Sequence, residues 1–92
     1  MKSLRVYVSA ACTICDRTYQ LLADVRAQRP HYPLEVIDLD QPDVVQPAYV
    51  FGTPTFVLGE QIISLGNPAL ADLLARLDAA AAPVAAPPTL TA

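Results

Sequence analysis

The chain has 92 residues, a formal net charge of −3 and two cysteines. That length suits one small domain, which buries only roughly 60–65% of the surface its unfolded chain exposes. The basic residues Lys2, Arg5, Arg17, Arg26, Arg29 and Arg76 are scattered, so no basic stripe exists to neutralise phosphates, which argues against a nucleic-acid partner.

The first element, "SLRVYVS" (3–9), places Leu4, Val6 and Val8 on one face of a strand. Arg5 stands where a signal peptide needs an unbroken apolar stretch, and no run reaches the roughly eighteen apolar residues of a membrane span. The expectation is a cytoplasmic monomer. From Thr13 to Arg29 the residues Ile14, Leu21, Leu22 and Val25 fall at i, i+7, i+8 and i+11, one face of a helix. Asp16, Arg17, Asp24 and Arg26 fall on its other side. "RPHYP" (29–33) ends the helix, because each proline biases its predecessor away from helical backbone. "LEVIDLD" (34–40) is a second strand, and a strand-helix-strand unit implies a parallel pair with a right-handed crossover.

In "DQPDVVQPAYVFG" (40–52), Asp40 is read as the cap of a short helix begun by Pro42 and stopped by Pro47. "TPTFVLG" (53–59) and "EQIISLG" (60–66) are two strands separated only by Gly59 and Glu60, a tight antiparallel hairpin. Asn67 and Pro68 supply an N-cap and a first helical residue, and Leu70, Leu73, Leu74 and Leu77 give the apolar face of a closing helix. The segment "AAAAPVAAPPTLTA" (79–92) has no charge and no aromatic residue. It reads as a disordered tail beyond a folded domain of residues 1–78. The predicted order is β-α-β-(short α)-β-β-α.

Cys12 and Cys15 carry the chemistry. In the cytoplasm a lasting structural disulfide is rare, so two close cysteines read as catalytic or metal-binding rather than as a staple. A dithiol that exchanges disulfides needs one exposed thiolate and a partner thiol within bonding reach. Cysteines at i and i+3 on a first helical turn meet the reach requirement and set the first sulfur near the unpaired amides of the helix start. On that reading Cys12 attacks a substrate disulfide and the better shielded Cys15 resolves the mixed disulfide. The spacing alone leaves open half of a metal site and two inert buried thiols. Two thiolates suit Cu(I), although copper chaperones carry a methionine where this chain has Ala10. A structural zinc needs four ligands, and His31 sits in a distant turn. An iron–sulfur cluster shared across a dimer and a non-catalytic binding module are further alternatives. In the module Tyr7, Tyr49 and Phe51 would line a docking surface, with core or edge packing the better reading for Phe51.

The strand-helix-strand unit with "CTIC" (12–15), the "TPT" (53–55) opening a hairpin and the "GNP" (66–68) before a last helix together resemble the thioredoxin superfamily over residues 4–78. The layout is most similar to its minimal, glutaredoxin-like members. The resemblance implies a four-stranded mixed sheet flanked by helices, with a cis peptide at Pro54 facing the dithiol. Thr53 and Pro54 would then form the substrate side of the site, with Thr13 and Ile14 between the sulfurs. It also implies a disulfide-containing protein substrate and a reductase or thiol reductant as partners, with no cofactor beyond the dithiol. The aspartate that thioredoxins place six residues before the first cysteine is Val6 here. Of the groups with which glutaredoxins hold glutathione, only Gly66 and Asn67 remain. Arg17 is an alternative cation but reads better as an ordinary exposed helix residue, so glutathione stays an open but unsupported ligand. Thr13 and Ile14 offer no cation and no ring, and Asp16 opposes the thiolate. The expected couple is reducing, with a moderately lowered Cys12 pKa.

Overall fold

The computed structural model describes residues 2–81. In its first strand, β1 (Leu4–Val8), alternation sends Leu4, Val6 and Val8 into one apolar cluster and Tyr7 into another on the opposite face. There follow α1 (Cys15–Gln28), β2 (Leu34–Asp38), β3 (Thr55–Leu58), β4 (Gln61–Leu65) and α2 (Leu70–Ala81). The strands form one mixed sheet in the order β2-β1-β3-β4. β2 runs parallel to β1, with Leu4 opposite Leu34 and Val8 opposite Asp38. β3 runs antiparallel to β1 and pairs Tyr7 with Thr55, while β3 and β4 form an antiparallel hairpin whose register shifts between Phe56 and Val57. The central strands are nearly all buried and the edge strands β2 and β4 stay partly exposed.

Both helices cover the same face of the sheet. Cys15, Leu22 and Val25 of α1 and Leu73 and Leu77 of α2 close over Leu4, Val6, Val8, Phe56 and Leu58. Near their C-terminal ends the helices are joined by a forked ion pair. Arg29 donates from Nε and Nη2 to the two carboxylate oxygens of Asp78 at 2.7 and 2.8 Å. These bonds hold the Asp78 carboxyl below its usual range and push Arg29 up.

Among the described residues the other face has no helix. The loop 39–54 covers it, with Val50 packed against Tyr7 and Val57. The Tyr7 and Tyr49 hydroxyls meet at 3.3 Å and the rings stand edge to face, centroids 6.4 Å apart. Burial, with the Tyr49 hydroxyl next, pushes the Tyr7 phenol above its usual value. At the hairpin turn Gly59 has a φ of 63°, and a Cβ there would stand 3.0 Å from Lys2 Cδ. Gly59 N–H donates to Ser3 O at 2.9 Å, and its carbonyl accepts from Arg5 Nη2 at 2.7 Å.

The strands, the two main helices and the hairpin lie where the sequence pattern puts them, but the boundaries differ. α1 starts at Cys15 rather than Thr13, because residues 10–14 are spent on turns. Its buried stripe is therefore Cys15, Thr18, Leu22 and Val25, and Ile14, expected on that stripe, is 42% exposed. The short helix expected after Asp40 is absent. Pro42 and Pro47 leave too little chain between them, and residues 39–54 form turns, with Val44 N–H bonded to Gln41 O and Val50 N–H to Pro47 O. α2 begins at Leu70 and runs through Ala81, past the expected boundary at 78, in keeping with the high helix propensity of alanine. The remainder of the expected tail, 82–92, lies outside the described residues.

Candidate active site

Beyond β1 the chain turns twice before it becomes helical. Ser9 O accepts the Cys12 N–H at 3.2 Å, and Cys12 O accepts the Cys15 N–H at 3.4 Å. Ile14 takes the N-cap position of α1 with no side-chain cap of its own. Cys12 thus precedes the helix and Cys15 is its first residue. A disulfide joins them, with Cα atoms 5.4 Å apart. Cys12 is half-buried, whereas Cys15, on the inward stripe of α1, is only 4% exposed. Cys15 is thus the more buried of the two residues, while Cys12 itself packs partly against the helix-side core.

Side chains from separate loops hold this turn. The Ser9 and Thr53 hydroxyls are hydrogen-bonded at 2.9 Å. The Asp40 carboxylate accepts the Ala10 N–H, so the residue expected to cap a helix fastens the root of the dithiol loop instead. Asn67, expected to cap α2, also turns elsewhere. Its Nδ2 donates to Ile14 O at 3.1 Å and its Oδ1 accepts from the Thr18 hydroxyl at 2.6 Å. α2 starts at Leu70, two residues later than the expected first helical residue, Pro68.

Thr53, tied to Ser9, also lines an open groove of about 370 Å³ with Phe51, Gly52, Pro54, Leu65 and Gly66. The Thr53–Pro54 peptide bond is cis, and Pro54 O accepts the Gly66 N–H at 2.9 Å. Phe51 is 86% exposed and Leu65 71% exposed. Core or edge packing for Phe51 is therefore wrong. Val50 takes the inward position in the loop, and its neighbour is left pointing out. Tyr7 is buried beneath that loop, so Tyr7, Tyr49 and Phe51 do not share one exposed surface.

Thr13 and Ile14 lie exposed between the two cysteines, and Asp16 and Arg17 are exposed on the first turn of α1. His31 lines a second cleft, with Arg29, Tyr32 and Asp78, beside the C-terminal end of α1. Among the described residues no three of His, Cys, Asp and Glu cluster as metal ligands would. No described helix is long and apolar enough to cross a membrane.

No family model matches the chain, and no curated protein matches it. What stands without them is a Cys-x-x-Cys pair, oxidised, in a small α/β domain with a four-stranded mixed sheet. Sequence reasoning missed Thr18 and the actual role of Asp40. Thr18 did leave a signal, since a hydroxyl on the apolar stripe between Cys15 and Leu22 must find a partner when buried.

Proposed function

We propose that the chain is a thiol–disulfide oxidoreductase of the thioredoxin superfamily, glutaredoxin-like in layout. The reading is carried by the asymmetric disulfide at the junction of β1 and α1, with Cys12 half-buried and Cys15 4% exposed. In the reduced protein the Cys12 thiolate attacks one sulfur of a substrate disulfide. The substrate S–S bond breaks, its leaving sulfur takes a proton, and a mixed disulfide forms through Cys12. Cys15 then loses its proton and attacks the Cys12 sulfur. The Cys12–Cys15 bond closes and the second substrate thiol departs, two electrons having passed to the substrate.

The positive end of the α1 dipole favours the Cys12 anion, and Asp16 in the first turn opposes it. A protein disulfide is the substrate that the groove supports. Among the described residues neither the N–H nor the C=O of Thr53 has a backbone partner, and an extended chain can pair with both. Phe51 and Leu65 offer apolar contact to side chains flanking the target bond, while glutathione's carboxylates would meet no cation among the groove's lining residues.

Single-cysteine variants test the roles. Cys15→Ser is expected to accumulate a mixed disulfide with a disulfide-bonded protein substrate, read by mass. Cys12→Ser is expected to accumulate none. Equal trapping by both, or trapping by neither, sinks the assignment.

A further inference from the structure

The carbonyl of Ile14, the last residue before Cys15, is gripped from several sides. It accepts the amides of Arg17 and Thr18 at 3.1 and 3.3 Å, as a helix start requires. It also accepts Asn67 Nδ2, from the loop after β4, at 3.1 Å. Asn67 is itself oriented by Thr18, a fully buried residue whose hydroxyl donates to Asn67 Oδ1 at 2.6 Å. The single Thr18 proton is better placed there than at Ile14 O, 3.4 Å away. Once the Asn67 oxygen faces Thr18, its amide nitrogen is left to reach Ile14. A hydroxyl inside the core thus dictates how a distant loop holds the peptide joining the two cysteines.

We propose that Thr18 and Asn67 are positioning residues that favour closure of the Cys12–Cys15 disulfide over the open dithiol. The proposal rests on the redox reading of the pair and names what tunes it. Forming the bond costs the freedom of the Cys12–Cys15 turn, and a turn already fixed at Ile14 has less freedom to lose. Neither residue touches a sulfur-bearing side chain's reacting atom in the described contacts; both act through Ile14. The same grip steadies the first-turn amides that favour a thiolate. Those amides persist when one side-chain bond is lost, so the closure effect dominates. Releasing Ile14 should make the disulfide easier to reduce.

The full chain is equilibrated with mixtures of reduced and oxidised dithiothreitol. Oxidised dithiothreitol takes two electrons and two protons from Cys12 and Cys15 as their S–S bond forms. The oxidised fraction is read by alkylation and mass. Thr18→Val and Asn67→Ala are each expected to lower the oxidised-to-reduced constant about three- to tenfold, the size of one net hydrogen bond. That is a rise of about 15–30 mV in potential for a two-electron couple. The double variant should shift little further, because one network is broken either way. Thr18→Ser keeps the hydroxyl and should keep the parent potential, although losing a core methyl lowers its melting temperature. A role in packing alone reverses that order, with Thr18→Val near the parent and Thr18→Ser displaced, and would overturn the proposal. So would variants that fold and cycle at the parent potential. A parent chain whose cysteines do not interconvert would remove the redox reading itself, and this inference with it.

Discussion

Adjacent residues of the same strands meet different coverings on the two faces of the sheet. On one face Leu4, Val6, Val8, Phe56 and Leu58 lie under two regular helices whose stripes include Cys15. On the other Tyr7 and Val57 lie under a loop that packs Val50 against them and is fastened by polar contacts. Gln46 Nε2 donates to Val50 O at 2.6 Å, and Tyr49 meets Tyr7 through its hydroxyl. A helix offers an apolar residue every three or four positions, and a loop offers one where its turns allow. The shielded sulfur therefore belongs to the stiffly packed side. The groove residues Phe51 and Gly52 belong to the loop side.

The largest test of this contrast is a deletion on each face. Leu73→Ala, on the inward face of α2, should cost about 2–5 kcal/mol, because neighbours on both helices and the sheet cannot collapse into the gap. Val57→Ala, beneath the loop, should cost roughly 1–2.5 kcal/mol. Chemical denaturation with a constant m-value measures both, and equal costs would erase the distinction. Next in size is an alkaline effect on the loop face. The Tyr7 phenol is raised, chiefly by burial, so the folded state disfavours its ionisation. The stability this gives is complete below the ordinary tyrosine range near about pH 10 and is lost as pH rises above it. Melting temperature should fall more steeply above that range in the parent than in Tyr7→Phe. The smallest effect belongs to the helix face. Asp78 is held low by Arg29, so its contribution is complete above the usual aspartate range and fades as pH falls through its depressed value. Asp78→Asn should flatten the acid limb of the melting curve slightly, since both groups are exposed.

The helix face was the more legible of the two from sequence. Alternation marks Leu4, Val6 and Val8, and helical spacing marks Leu73 and Leu77, because each pattern is local. Phase is where the pattern for α1 misled. Counting from Ile14 gives an apolar stripe, yet the helix starts at Cys15 once the turns at 10–14 are made, and the stripe rotates to include Thr18. The cysteine pair was visible as a pair, and so was the Thr53-Pro54-Thr55 opening of the hairpin. The fastenings of the site were not visible. Asn67 reaches Ile14 across 53 residues and Asp40 reaches Ala10 across 30. A single polar side chain has no period, and a local role as helix cap accounted for both residues equally well.

The loop 39–54 ends at the groove and is anchored mainly by Val50 and a few polar contacts. Doubling a flexible loop's length costs only about 0.6 kcal/mol in closure entropy. Descendants of this chain could thus acquire insertions before Phe51 and exchange one docking partner for another. Cys15, on the inward stripe of α1, would be inherited unchanged.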